Sequence, residues 1–230
     1  MTTVIFWDID GTLLTTGRAG IHAWEAAVEK QVAKPVDLSQ LQTAGLTDVD
    51  IARMLAADYS LAPAVAPELL GTYESRLAGC LALRSGTVLP NVREILERLR
   101  ARSDVHSTLL TGNTRAGAAA KLRHYGLAQF FEGGAFADGA EGRATIARAA
   151  FAQARTIVGE VSAERVYVIG DTPHDVSCGK AIGARVVAVA TGGYTLQQLR
   201  STDPWWLVDS LPNPDVFLPR LGLSPSLESV

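Results

Sequence analysis

Two cysteines in 230 residues, Cys80 and Cys178, are too few and too far apart for a disulfide framework or a thiolate metal cluster, and they fit a reducing compartment. Positive charge is not in surplus either. The 21 Lys and Arg stand against 24 Asp and Glu, a net charge of -3 that gives nucleic acid or an acidic membrane surface nothing to grip. Long apolar runs are missing, so no segment reaches membrane-spanning length. The chain passes from Met1 into Val4–Trp7 without the basic stretch and apolar core of a secretory signal. The four histidines, His22, His106, His124 and His174, have no spacing that suggests a zinc site. There is no internal repeat and no low-complexity tract. These absences leave a soluble, cytoplasmic protein that acts on small, separately diffusing molecules as the expectation, with no nucleic acid or membrane partner.

What is present is a hydrophobic fraction of 47%, enough to fill one main core with a smaller inserted piece at this length. Val4-Ile5-Phe6-Trp7 is a continuous β-branched and aromatic run that ends abruptly in Asp8-Ile9-Asp10-Gly11-Thr12. It reads as a buried parallel strand opening into a polar loop. His106–Thr111, Val166–Asp171 and Arg185–Ala190 repeat the design. Between them lie helical patterns, with Val92, Ile95, Leu96 and Leu99 at i, i+3, i+4 and i+7, and Ile146, Ala150, Phe151, Ala154 and Ile157 spaced similarly. Alternating strands and helices predict an α/β fold, a Rossmann-like doubly wound parallel sheet.

Residues 15–87 break that rhythm, because they offer helices without strand signals. Ile21, Trp24, Val28 and Val32 form a stripe, Thr47 and Asp50 make a capping box ahead of Ile51, Met54 and Leu55, and a third helix runs from about Pro67 to Leu83. The expected organisation is therefore a core of residues 1–14 and 88–230 with a helical unit of residues 15–87 inserted after the first strand. Gly17 and Gly86 lie at its two connections. The proline-rich C-terminus, with Pro204, Pro212, Pro214, Pro219 and Pro225, reads as loop and short elements.

In open α/β sheets the ligand sits beyond the carboxyl ends of the strands. Asp8 and Asp10 end the first strand, Thr111 the second and Asp171 the third, so four polar side chains converge on one rim. Acids at the end of so apolar a run are costly to bury unless a cation compensates them, and a hard divalent ion with oxygen ligands fits. Asp175 reads either as a helix N-terminal acid or as a direct functional contact. The loop Ala44–Asp48 either reaches the site or simply starts a helix. Arg18, where the inserted unit begins, either touches a substrate anion or is an ordinary exposed arginine. Cys178 reads as a buried small hydrophobe, and Trp205-Trp206 as packing for the terminal segment.

Asp8-Ile9-Asp10-Gly11-Thr12-Leu13, Leu110-Thr111-Gly112-Asn113 and Gly170-Asp171-Thr172-Pro173-His174-Asp175 resemble motifs one, two and four of the haloacid dehalogenase-like hydrolase superfamily. All fall in order at strand ends, and the helical insertion resembles the superfamily's inserted cap, so the likeness spans nearly the whole chain and is greatest to phosphatases of the phosphoglycolate phosphatase kind. The resemblance implies a magnesium-dependent hydrolase of a small phosphate monoester. Asp8 would be the nucleophile and a Mg2+ ligand; Asp10 would protonate the leaving alkoxide, later activate water, and lie at the metal with its backbone carbonyl. Thr111, Gly112 and Asn113 would bind the phosphoryl oxygens, while Asp171 and Asp175 would complete the metal site. The third motif calls for a cation near the nucleophile. Arg143 occupies the matching place without the more familiar Lys-Pro neighbours, and Lys121 is the substitute, its alternative reading being a solvated cation near a helix C-terminus. Asp10 speaks against dehalogenase and phosphonatase relatives, which lack it. A phosphosugar mutase and a non-catalytic phosphate-binding module are the remaining alternatives.

Overall fold

A computed structural model describes residues 2–139 and 142–223, so the expectation of a loop around Pro225 lies outside the described residues. Six strands form a parallel sheet: β1 (Thr3–Trp7), β4 (Val105–Leu110), β5 (Gly134–Ala135), β6 (Val166–Gly170), β7 (Arg185–Val189) and β8 (Trp206–Val208), in the order β5-β4-β1-β6-β7-β8. β1 lies at the centre because it is apolar on both faces. Ile5 and Trp7 enter one core layer with α4 (Val92–Arg100), α5 (Arg115–His124) and α9 (Pro214–Arg220), whereas Val4 and Phe6 enter the other with α6 (Arg143–Val158), α7 (Pro173–Ala181) and α8 (Leu196–Arg200). Strand alternation produces this split, and each large side chain buried contributes roughly 1.5–3 kcal/mol. The doubly wound sheet expected from the sequence is present.

The helix stripes also hold. Val92, Ile95, Leu96 and Leu99 are buried, as are Ile146, Ala150 and Ala154, while Ile157 in the last turn of α6 is the exception at 60% exposed. The C-terminal segment is loop with short elements, as its prolines suggest, β8 falling at Leu207-Val208. Asn213 caps α9 by accepting from the Val216 amide, and Pro214 sits at the first turn, where a missing N–H costs nothing. Trp205 and Trp206 pack edge-on to each other, Trp206 stacks on Phe217, and Arg185 and Arg220 lie over the Trp205 ring.

Between β1 and α4 the chain forms α1 (Ala19–Val32), α2 (Asp48–Asp58) and α3 (Ala66–Ala82), which share a separate apolar core built on Ile21, Trp24, Leu55, Leu69 and Tyr73. Trp24 and Tyr73 stack with ring centroids 4.1 Å apart. Thr47 caps α2 by accepting from the Asp50 amide at 3.0 Å, as its spacing predicts. Two short strands, β2 (Leu14–Thr15) and β3 (Thr87–Val88), pair antiparallel where the helical unit joins the sheet. Pairs of two residues carry no periodicity, so the sequence does not announce them. Gly86 is required here by close approach, since a Cβ would stand 2.2 Å from the Thr15 carbonyl oxygen. Among the described residues no helix is long and apolar enough to cross a membrane.

Candidate active site

The register of the sheet brings the motif residues to one edge. Trp7 lies opposite Leu109 of β4 and Ile169 of β6, so Asp8, Thr111 and Asp171 leave three adjacent strands within a residue or two of the same level. The Asp8 amide donates to the Ile169 carbonyl at 3.0 Å, extending the ladder one step past β1. Beyond it the chain turns at Gly11, with φ 77°, and the two acids of the first loop go to different partners.

Asp8, Asp171 and Asp175 form one group. Each offers a carboxylate oxygen within 4.8 Å of the others, and all three are buried. Arg143, the first residue of α6, reaches into this group, its Nη2 donating to Asp8 Oδ1 at 3.1 Å and its Nη1 to Asp175 Oδ1 at 2.8 Å. The other Asp175 oxygen accepts from the Thr172 amide and hydroxyl in a capping box at the start of α7. Asp175 is thus both a helix-capping acid and a member of the site. Burial, then the neighbouring Asp175, hold the Asp8 carboxyl above its ordinary range, with Arg143 opposing them. Burial, Asp175 and Asp8 push Asp171 up in the same way. One guanidinium does not neutralise three ionised carboxylates, and the group is compatible with a further cation.

The fit to a small hard ion rests on space as well as charge. Gly11 and Gly192 flank Asp171, and a Cβ on Gly192 would fall 1.6 Å from Asp171 Oδ2. The carboxylate oxygens lie within 4.8 Å of one another, a spacing that would let Asp8 and Asp171 hold one hard cation and Asp175 meet it through water. Gly192→Ala is expected to displace the Asp171 carboxylate and weaken divalent-metal binding by about 10- to 100-fold, measured by calorimetry, with the far-ultraviolet spectrum unchanged. Unchanged affinity would show that Asp171 has room to spare. The sequence does not flag Gly192, because its closeness to Asp171 arises only in the fold.

Asp10 stands outside that group. Its Oδ2 accepts from Lys121 Nζ at 2.5 Å and from Asn113 Nδ2 at 2.9 Å, while Asn113 also donates to Thr111 Oγ1 at 2.8 Å. Lys121 corrects the expectation of a solvated helix cation: it is 4% exposed and faces inward from α5. Burial works against its ammonium, yet Asp10 and Asp48 outweigh that and hold its pKa above the ordinary lysine value. Two cations therefore serve two acids, with Arg143 at Asp8 and Lys121 at Asp10.

The helical unit contributes Asp48, which sequence reasoning did not single out beyond its loop. Its backbone amide donates to the Gly112 carbonyl at 2.8 Å, and its Oδ2 accepts from the Thr114 amide at 2.8 Å. The Ala44–Asp48 loop therefore does reach the site, where Leu46 lies over Gly112 and Gly45 against His174. Burial pushes the Asp48 carboxyl up to about 6, although Lys121 opposes the shift. A raised folded pKa means that the stabilising contribution is present below the unfolded value and is lost as pH rises through the folded one. Between pH 4 and 6 the unfolding free energy is expected to fall by on the order of 3 kcal/mol through this group. Asp48→Asn should flatten that limb in denaturant titrations; an unaltered slope would assign the pH dependence elsewhere.

The model of the family described as haloacid dehalogenase-like hydrolase matches residues 4–189, taking in the strand-end acids, the helical insertion and Asp171. The chain belongs to the haloacid dehalogenase-like hydrolases. Among proteins with curated descriptions none matches. Solved structures of similar fold include one described as a predicted phosphatase from Clostridium acetobutylicum, with a TM-score of 0.74, 17% identity, and coverage of 97% of this chain and 100% of that one. Another is described as a predicted phosphoglycolate phosphatase from Haemophilus somnus, with a TM-score of 0.73, 18% identity, and coverage of 94% and 96%. CbbY from Rhodobacter sphaeroides, solved in complex with phosphate, has a TM-score of 0.72, 17% identity, and coverage of 91% and 95%. At these identities the likeness establishes the fold. Membership of the hydrolase family makes the chain an enzyme, and the geometry of its own residues bears on the chemistry.

Proposed function

We propose that the protein is a magnesium-dependent phosphatase that hydrolyses a small phosphate monoester through an aspartyl-phosphate on Asp8. The observation that carries this reading is the separation of the two first-loop acids. Asp8 sits with Arg143 and two further buried carboxylates, whereas Asp10 sits with Lys121 and Asn113. This division supports attack by one acid and proton transfer by the other.

Asp8 and Asp171 would hold the metal directly. Asp175, with both oxygens already engaged by Arg143 and Thr172, would act through water, and Asp10 through its backbone carbonyl. When bound, the metal supplies positive charge that offsets repulsion between an anionic nucleophile and an anionic ester. In the first step the Asp8 carboxylate bonds to phosphorus and the P–O bond to the alcohol breaks, the leaving oxygen taking its proton from Asp10. Asp10 then accepts a proton from a water molecule that attacks the same phosphorus. The acyl phosphate bond breaks, releasing inorganic phosphate and restoring Asp8. Thr111 and the Gly112 and Asn113 loop would hold the phosphoryl oxygens, and Arg143 would keep Asp8 ionised and add charge against the phosphate.

The helices of residues 15–87 act in this reading as a cap. They close over the ester and exclude bulk water during the first transfer. Phosphate release from a panel of monoesters, with Mg2+ and with EDTA, tests the reading. Release should depend on the metal and fall by on the order of 10³-fold or more without it. Equal turnover in chelator would remove the metal from the account.

A further inference from the structure

The side chain of Asn113 joins the two halves of the chemistry. Its Nδ2 donates to Asp10 Oδ2 at 2.9 Å and to Thr111 Oγ1 at 2.8 Å, and its Oδ1 accepts from Lys121 Nζ at 2.5 Å. It thus ties the acid used for proton transfer to the hydroxyl beside the nucleophile. An amide held to three partners keeps that place only while its own backbone is fixed.

One residue of the inserted helical unit fixes that backbone from both sides. The peptide group before Asn113 is the one whose Gly112 carbonyl accepts from the Asp48 amide at 2.8 Å. The peptide group after it is the one whose Thr114 N–H donates to Asp48 Oδ2 at 2.8 Å. Neither bond is needed to start α2, because Thr47 already caps that helix at Asp50. The Asp48 amide is a first-turn donor with no carbonyl of its own helix to meet, and it is spent on the sheet edge instead. The approach is close. A Cβ on Gly112 would stand 2.7 Å from the Leu46 carbonyl oxygen, and one on Gly117 would stand 3.2 Å from Asp48 Oδ2. Thr114 in turn caps α5 by accepting from the Gly117 amide at 3.1 Å, and α5 carries Lys121. The grip of Asp48 therefore bears on both partners of Asp10, on Asn113 through its two peptide groups and on Lys121 through the start of its helix.

We infer that Asp48 is a positioning residue: by holding the two peptide groups that flank Asn113, it completes the proton-transfer arrangement at Asp10 only while the helical unit is seated on the sheet edge. The unit then does more than cover the ester. Its seating is coupled to the competence of the acid that protonates the leaving oxygen. This rests on the phosphatase reading and deepens it.

Asp48→Ala removes the acceptor for the Thr114 amide, whereas Asp48→Asn keeps one. Two esters separate a misplaced acid from general damage. The leaving oxygen of para-nitrophenyl phosphate needs no proton, and that of 2-phenylethyl phosphate does. With Mg2+ present, kcat/KM in Asp48→Ala is expected to fall by about 50-fold for the phenylethyl ester and by no more than about fivefold for the nitrophenyl ester. Asp48→Asn should stay within about threefold of the parent on both. Equal losses on the two esters, no loss on either, or an Asn variant as impaired as the Ala variant would overturn the inference. Should Asp48→Ala fail to fold, Gly117→Ala makes the same comparison by pressing on the Asp48 carboxylate without removing a polar group, and the phenylethyl ester should again lose more. If the parent releases phosphate from no monoester, the phosphatase reading fails, and nuclear magnetic resonance still decides the role of Asp48. Exchange of the Thr114 amide should be at least about tenfold faster in Asp48→Ala than in Asp48→Asn, and the Asn113 side-chain amide signals should move only in the Ala variant. Equal exchange and unmoved signals would contradict the assignment.

Discussion

Asp8→Asn is expected to lower kcat by on the order of 10⁴-fold or more, because an amide oxygen is too weak a nucleophile to form the acyl phosphate. The same substitution should not unfold the protein. Asp8 lies among buried acids, where burial and Asp175 raise the free energy of its ionised form, so a neutral isostere relieves repulsion at the cost of one hydrogen bond from Arg143. The melting temperature of the metal-free variant at pH 8 should therefore equal or exceed that of the parent. Mg2+ should raise it less than it raises the parent's, since one ligand is weakened. Loss of activity with a much lower melting temperature would indicate misfolding, and residual turnover above about one part in 10² would remove Asp8 as nucleophile.

Lys121→Met removes the cation from beside the proton-transfer acid. Lys121 donates to Asp10 and Asn113, and its charge opposes the upward shift of Asp48. Without it the Asp10 carboxylate keeps the Asn113 amide as partner but loses its ion pair, and is less firmly placed for either proton transfer. The expected result is a kcat lowered by roughly 10²-fold or more with KM changed little. Stability should fall by about 3 kcal/mol at pH 8, where Asp48 is left as a buried charge without its cation. The loss should shrink toward pH 5, because a protonated Asp48 needs no partner. A loss confined to KM would place Lys121 in phosphate binding instead of beside the acid–base.

Much of this arrangement was legible in the chain because strand ends punctuate it. Val4–Trp7 is apolar on both faces, which only the centre of a parallel sheet satisfies, and the acids that follow could only emerge at its edge. Asp8, Thr111 and Asp171 were readable for that reason, and Arg143 only through the family resemblance, with Lys121 as its substitute. The place of Lys121 beside Asp10 was not legible. Its local pattern, a basic residue in the last turn of a short helix, is what a solvated helix end shows, and only the folded chain brings Asp10 and Asn113 to its ammonium. Asp48 was hidden similarly, since Thr47 and Asp50 already explain the start of α2. Gly192 answers to a distance from Asp171 that exists only once β6 and β7 are side by side.

The covalent intermediate is the central claim, and the stereochemical course at phosphorus tests it most directly. A thiophosphate monoester made chiral with oxygen isotopes, hydrolysed in isotopically labelled water, should give inorganic thiophosphate with net retention, because attack by Asp8 and then by water inverts the centre twice. Net inversion would mean that water attacks the ester directly, and would contradict the account.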